Sequence, residues 1–228
     1  MTEFERAAPP AVRIIGSARA FAVGRIFCVG RNYESHAKEM GAATREPPFF
    51  FTKFPDAVVP SGSRLRYPPA TRDFQYEGEL VVAIGSEGHA VSGAQAQGLI
   101  FGYAAGLDMT RRDLQVAARD KGRPWDTGKN FEQSAPVGDI TPVGQSGVLE
   151  SGLLELRVND EVRQRTDLSD MIWSVTEIIT HLSALYQLRS GDLIFTGTPS
   201  GIGSVVAGDR IDLRIARLTA LTATIEDT

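Results

Sequence analysis

Short β-rich runs recur along the chain and constrain its fold more than any other feature of the sequence. Apolar residues at helical spacing are convincing in only one long stretch, residues 170–186. Many strands with few helices, in no strict strand–helix alternation, predict a mixed α+β fold dominated by strands rather than a doubly wound sheet. The runs read RIFCVG, PFFFTK, ELVVAIG, LIFGYAAGLD, LLELRVN, EVRQR, DLIFTG and DRIDLRI.

Local signals place further elements. Two shorter helices are predicted, one over YESHAKEMG (33–41) and one over TRRDLQVAARD (110–120), where Thr110 is a candidate N-cap. The pair Asn159-Asp160 lies between two alternating segments and predicts a tight hairpin turn. Residues 1–24, which include AAPPA, are expected to form an extended lead-in, and residues 25–228 a single catalytic domain.

Composition excludes several classes of function. A net charge of −4 without a basic block argues against nucleic acid as the partner. No apolar run approaches the ~20 residues that span a bilayer, and the acidic start MTEFERAAPP does not resemble a secretory signal. The single cysteine, Cys28, forbids an intrachain disulfide. TGTPSGIG lacks the spacing and the lysine of a P-loop. We therefore expect a cytoplasmic protein that acts on a small molecule.

Two glutamates flank a glycine where an apolar strand begins, in YEGELVVAIG. Residues two apart in a strand share a face, so Glu77 and Glu79 should point the same way and require positive charge between them. Asp108, at the end of another apolar strand, offers a third carboxylate. Three carboxylates would select Mg²⁺ or Mn²⁺. Spacing alone leaves an alternative open, in which the glutamates form a solvated strand face and Asp108 caps a helix.

Other polar residues are candidates for catalysis and substrate binding. His36 and Glu39 are three apart and would share a helix face, so Glu39 could orient His36 as a base. Lys129 lies in a turn-rich segment and could stabilise a developing enolate or oxyanion. From the residues alone, an exposed surface side chain is the more common outcome for each of these patterns. The candidate anion contacts near Asp108 and in the TGTPSG loop are Arg111, Arg112, Gln115 and Thr198.

Together these motifs resemble the fumarylacetoacetate hydrolase superfamily. The resemblance rests on CVGRNYESHAKEMG, PPFFFTK, YEGELVVAIG, GYAAGLDMTRRDLQ, GKNFEQSAPVG and TGTPSGIG, and it covers nearly everything from residue 25 to residue 215. REPPFFFTK, GLDMTRRDLQ and GRPWDTGK look closest to the bacterial fumarylpyruvate hydrolase branch, which acts after gentisate ring opening. The chain departs from the family pattern at Glu132, where aspartate is usual, and at Asp139, where proline is common.

The resemblance implies a mixed β-sandwich roll, usually in homodimers, with a Mg²⁺ or Mn²⁺ ion. It also implies a lid segment at about 31–46. Residue by residue, it implies metal ligands at Glu77, Glu79 and Asp108, a lid dyad at His36 and Glu39, a catalytic lysine at Lys129, a loop threonine at Thr198, and substrate contacts at Arg112 and Gln115.

The reaction that the resemblance implies is hydrolysis of a C–C bond in a 2,4-dioxo acid, fumarylpyruvate being the expected substrate. Arg31 and Arg45 are candidates for recognising a second carboxylate such as that of a fumaryl group. Two alternatives use the same site, namely decarboxylation of oxaloacetate and isomerisation or tautomerisation of a related dioxo acid. A structural cation held by the three acids is a third.

Overall fold

The computed structural model of the chain describes residues 9–33 and 46–227, and within them eighteen strands and five helices. The strands are β1 (Ala11–Arg13), β2 (Ala20–Ala22), β3 (Ile26–Gly30), β4 (Phe49–Lys53), β5 (Val58–Pro60), β6 (Ser63–Arg66), β7 (Phe74–Tyr76), β8 (Gly78–Ile84), β9 (Ile100–Leu107), β10 (Thr110–Arg111), β11 (Ala135–Val137), β12 (Thr141–Pro142), β13 (Leu153–Val158), β14 (Glu161–Asp167), β15 (Leu193–Phe195), β16 (Gly203–Ser204), β17 (Arg210–Ile215) and β18 (Leu221–Glu226). The helices are α1 (Gly93–Gly98), α2 (Arg112–Asp120), α3 (Asp126–Lys129), α4 (Val143–Ser146) and α5 (Val175–Leu185).

Two sheets account for most of the strands. An eight-stranded sheet has the order β4-β3-β15-β8-β9-β11-β5, with β12 also paired to β9. A five-stranded sheet has the order β14-β13-β17-β18-β6. A three-stranded sheet, β10-β7-β16, and the β1-β2 pair complete the described fold. This architecture confirms the prediction of a mixed, strand-dominated fold with few helices.

The central strand β8 is buried on both faces, which explains its uninterrupted apolar run. Leu80 and Val82 belong to the larger core cluster, which also contains the inward side chains of the five-stranded sheet and of α5. Val81 and Ala83 point the other way, into a second cluster that contains Phe21 of β2. The strand that follows the two glutamates is therefore fixed from both sides.

The hairpin and the long helix predicted from the sequence are confirmed. Strands β13 and β14 pair directly across Asn159 and Asp160, whose φ angles of 50° and 68° suit the tight turn that such pairs favour. Helix α5 begins later than predicted, at Val175, because Glu177 accepts hydrogen bonds from the N–H and hydroxyl of Ser174 and so caps the first turn.

Two other predictions about helices are not confirmed by the described structure. Thr110 does not cap α2, since it lies in β10 with its hydroxyl donating to the Asp108 carbonyl at 3.0 Å. This prediction was wrong because β10 pairs with β7 and delays the helix to Arg112. The helix predicted over residues 33–41 falls almost wholly outside the described residues. Among the described helices, none is long and apolar enough to cross a membrane.

Candidate metal centre

Glu77 and Glu79 lie at the junction of β7 and β8, with Gly78 between them. Gly78 is required by close packing against the five-stranded sheet. A Cβ there would lie 2.8 Å from Leu156 Cδ1 and 3.1 Å from Leu213 Cδ1. The Gly78 N–H also donates to Gln164 Oε1 at 2.9 Å. The glycine thus holds the junction against the core, while both glutamates turn toward the other side of β8.

Asp108 reaches the same place because β9 is the antiparallel partner of β8. Leu107 pairs with Gly78, and the Asp108 N–H donates to the Glu77 carbonyl at 2.9 Å. Glu77, Glu79 and Asp108 are 7%, 2% and 0% exposed, and their nearest carboxylate oxygens all lie within 4.8 Å of one another. The structure therefore brings together the three acids predicted to bind metal, which we call the carboxylate triad, and it excludes a solvated strand face.

Two buried lysines neutralise part of the triad. Lys129, at the end of α3, places Nζ 2.6 Å from Glu77 Oε2 and 2.8 Å from Asp108 Oδ2, and it donates to the Thr110 hydroxyl at 2.8 Å. Lys53, at the end of β4, lies 2.8 Å from Asp108 Oδ1. Its ammonium group also donates to the Lys129 carbonyl and so fixes the segment that carries Lys129.

Arg112 connects the triad to helix α2. Its guanidinium donates to Glu77 Oε1, to Gln75 Oε1 at 2.8 Å and to Gln115 Oε1 at 2.5 Å. Because the three nitrogens are all engaged, the guanidinium is held in one orientation. Arg112 therefore positions both Glu77 and Gln115.

The charges are unevenly balanced within the triad. Burial raises the pKa of Glu77, but the nearby Lys129 and Arg112 outweigh it and lower that pKa to about 2. Burial, with the carboxylates of Asp108 and Glu77, raises the pKa of Glu79 well above its ordinary value. Burial lowers the pKa of Lys129, but Asp108 and Glu77 outweigh it and raise that pKa. The carboxylate of Glu79 thus lacks the compensating positive charge that Glu77 and Asp108 have.

The donor set of the triad fits a hard divalent cation. All three side chains offer carboxylate oxygens, which Mg²⁺ and Mn²⁺ prefer. In the described part of the chain, Glu79 is paired with no basic side chain, and its contact is the Gly197 N–H, 2.7 Å from Oε2. A divalent cation held by Glu77, Glu79 and Asp108 would supply the missing charge.

A pocket of about 320 Å³ opens above the triad. It contains four of the residues predicted to contact substrate. Phe51, Arg119 and Trp125, which the sequence did not suggest, complete much of its wall. The pocket is lined by two acids of the triad, by the predicted catalytic lysine and by four predicted substrate contacts: Glu77, Glu79, Lys129, Arg31, Arg112, Gln115 and Thr198.

The hydroxyl of Thr198 already has two partners. It donates to the Gly78 carbonyl at 3.0 Å and accepts from Gln164 Nε2 at 2.9 Å. Gln164 is completely buried and also binds the Pro199 carbonyl and the Gly78 N–H. One amide side chain on β14 therefore fixes both the loop threonine and the glycine between the two glutamates.

Some predicted residues lie elsewhere. Arg111 packs over the Phe131 ring at 4.3 Å and does not line the pocket, so it is not a contact for the same anion. His36, Glu39 and Arg45 lie outside the described residues. Lys53 and Gln164 were missed, and no local pattern in the sequence marks either residue as part of the site.

The chain matches the family described as fumarylacetoacetate (FAA) hydrolase C-terminal over residues 25–226. It belongs to this family. It is 52% identical to fumarylpyruvate hydrolase from Ralstonia sp. over 79% of this chain and 93% of that protein. It is 40% identical to human mitochondrial oxaloacetate tautomerase FAHD1, over 88% of this chain and 91% of that protein.

A solved structure of a family member shares the whole fold. The crystal structure of fumarylpyruvate hydrolase from Pseudomonas aeruginosa in complex with Mn²⁺ and pyruvate has a TM-score of 0.97 and 47% identity, with 100% of both chains covered. These comparisons confirm the prediction that the chain is an enzyme of this family. The Mn²⁺ of the Pseudomonas protein agrees with the hard-cation chemistry of the triad.

Gly78→Ala is expected to weaken both folding and metal binding. The added methyl group would meet Leu156, Leu213 and the amide oxygen of Gln164. Overpacking of this kind costs about 1–3 kcal/mol, and relief by a backbone shift would move both glutamates. Thermal unfolding and Mn²⁺ titration would measure the two effects. Gly144→Ala is the control, because a Cβ at Gly144 meets nothing within 4 Å; equal behaviour of the two variants would contradict the packing argument.

Proposed function

We propose that this chain is a metal-dependent acylpyruvate hydrolase that cleaves fumarylpyruvate to fumarate and pyruvate. The observation that carries the proposal is the buried carboxylate triad, two of whose members, Glu77 and Glu79, line a pocket together with Lys129, arginines and a glutamine. The 52% identity to a fumarylpyruvate hydrolase supports the choice of substrate.

In this proposal Glu77, Glu79 and Asp108 hold Mg²⁺ or Mn²⁺. The ion, when bound, supplies Lewis-acid polarisation of the 2-oxo acid end of the substrate. Arg112 keeps Glu77 in place for this role, and the Gly197 N–H does the same for Glu79. Gln115, held by Arg112, and the Thr198 loop face the pocket and orient the dioxo acid.

The C–C cleavage needs a base and a site for developing negative charge. We propose that His36, oriented by Glu39, removes a proton from water, which attacks the C4 carbonyl. The C3–C4 bond then breaks. The water oxygen remains in the fumarate carboxylate, and the bonding electrons pass to the pyruvate enolate, which is protonated at C3. The ammonium group of Lys129, whose three N–H groups are held by Glu77, Asp108 and Thr110, offsets the charge of that enolate electrostatically from the pocket wall.

Oxaloacetate tautomerisation is the second candidate, because several relatives at about 40% identity carry that activity. Tautomerisation also passes through an enolate of a 2-oxo acid, so the same cation and lysine would serve it. It needs no water attack on a carbonyl and releases no second acid. Oxaloacetate decarboxylation would use the same enolate and would release CO₂.

The test is an assay of the purified enzyme on fumarylpyruvate, with Mn²⁺ and then with excess EDTA. We expect rapid loss of the dioxo-enol absorbance with equimolar pyruvate and fumarate, and loss of that activity in EDTA with recovery on adding Mn²⁺. Absence of either product would reject the hydrolase. Conversion of enol-oxaloacetate to its keto form without pyruvate or CO₂ would then establish the tautomerase.

The other expectations from the sequence and from the resemblance are part of the same proposal. We propose one catalytic domain over residues 25–228 with a lead-in over 1–24, a lid at about 31–46, and a cytoplasmic homodimer acting after gentisate ring opening. The described part of the lead-in, residues 9–24, contains β1 and β2, and its Val12 and Phe21 are buried in the second core cluster.

A further inference from the structure

One face of helix α2 lies along the pocket. Arg112, Gln115 and Arg119 occupy positions i, i+3 and i+7 of this helix and all three line the pocket. At 3.6 residues per turn these positions fall within an arc of about 60°. The helix therefore presents two arginines in line, one beside the triad and one about two turns farther along.

The two arginines differ in how strongly their side chains are engaged. Arg112 is 14% exposed and bound to Glu77, Gln75 and Gln115. Arg119 is 44% exposed, and its guanidinium contacts the carboxylate of the next residue, Asp120, at 3.0 Å. Because Asp120 is itself 60% exposed, that ion pair is weak. Arg119 can exchange it for a carboxylate that enters the pocket.

The spacing along the helix fits a dioxo acid with a carboxylate at each end. From Arg112 to Arg119 the helix axis rises about 10 Å, at 1.5 Å per residue. A seven-carbon chain contains six C–C bonds of about 1.5 Å each, so it spans roughly 8 Å in a zigzag. With its 2-oxo acid end at the triad, its far carboxylate comes within reach of the long Arg119 side chain.

We infer that Arg119 binds the distal carboxylate of the acyl group and makes the pocket selective for dioxo acids that carry a carboxylate at both ends. This inference rests on the proposed hydrolase function. The planar guanidinium can bind a carboxylate through two parallel hydrogen bonds. Arg119 stands on a helix whose position is fixed by Arg112. This favours it over Arg31, the third arginine of the described pocket wall, which is not on that helix.

The test compares hydrolysis of fumarylpyruvate with that of acetylpyruvate, which has the same 2,4-dioxo acid group but no distal carboxylate. Arg119→Ala is expected to lower the ratio of kcat/KM for fumarylpyruvate to kcat/KM for acetylpyruvate by about 10- to 100-fold. This is the range for loss of a hydrogen bond to a charged group. The loss should fall mainly on the KM for fumarylpyruvate. Arg119→Lys should recover part of the ratio, because it keeps the charge without the planar fork.

Lys121→Ala is the matched control, since it removes an exposed positive charge just beyond the same helix without touching the pocket. Its ratio should equal that of the wild type. An unchanged ratio in Arg119→Ala, or a collapse in Arg31→Ala alone, would overturn the assignment. If the wild type cleaves neither compound, the proposed hydrolase itself fails, so the two failures are distinguishable. Circular dichroism checks that each variant is folded.

Discussion

Asp108→Asn is expected to lower Mn²⁺ affinity by at least ~100-fold. Removal of a residue that only hydrogen-bonds to a metal ligand already lowers metal affinity or activity by about 10- to 100-fold, and Asp108 is itself a proposed ligand. The amide keeps the shape of the side chain but removes one of three negative charges. It also leaves Lys53 and Lys129 beside a neutral group, and both now oppose a cation. Fumarylpyruvate hydrolysis should fall in proportion. Calorimetric titration of the metal-free protein with Mn²⁺ measures the first effect.

Asp113→Asn provides the control for this variant. Asp113 is also a hydrogen-bonded carboxylate near the start of α2, where it accepts from the Thr71 hydroxyl and the Arg72 N–H, but it is not part of the triad. Its Mn²⁺ affinity should match that of the wild type. Wild-type affinity in Asp108→Asn, with its fold intact, would show that the metal binds elsewhere and would remove the basis of the proposed function.

The triad could be predicted from the sequence because its geometry is largely local. Glu77 and Glu79 share a face by the two-residue period of a strand, and Asp108 ends the strand that pairs with β8. What the pattern could not decide is burial. A solvated pair of glutamates has the same spacing, and only the packing of Gly78 against the five-stranded sheet removes that alternative.

Residues joined by long-range contacts were harder to find. Lys53 and Gln164 lie on β4 and β14, far along the chain from the acids that they support, and no periodicity links them to the site. Arg112 was predicted as a substrate contact, whereas its described partners are protein side chains that it holds in place. Such roles depend on which strands become neighbours.

The short strands were missed for a different reason. Elements such as β7, β10 and β16 have two or three residues, too few for alternation to be recognised. They form because β7 leads directly into β8 in an extended conformation. It then pairs with β10 on one side and with β16 on the other. This small sheet determines where α2 starts, and with it the direction in which Arg112, Gln115 and Arg119 point.

Lys129→Met should separate metal binding from catalysis. Methionine has a similar length and no charge, so it fills the same space in the buried site. Removing a positive charge that lies 2.6 Å from Glu77 and 2.8 Å from Asp108 should make Mn²⁺ bind at least as tightly as in the wild type. Turnover should nevertheless fall by about 10²- to 10³-fold, the range for removing one group that stabilises a developing oxyanion.

Lys121→Met is the matched control, because Lys121 is exposed and makes no contact with the triad. Its turnover and Mn²⁺ affinity should both stay at wild-type values. If Lys129→Met lost Mn²⁺ binding together with turnover, the lysine would serve to assemble the triad instead of stabilising the enolate. Turnover within about threefold of the wild type, with Mn²⁺ bound, would show that the reaction does not use the ammonium group. Tight Mn²⁺ binding with slow C–C cleavage is the combination that assigns Lys129 to the chemical step, because Mn²⁺ alone would then be insufficient to stabilise the departing pyruvate.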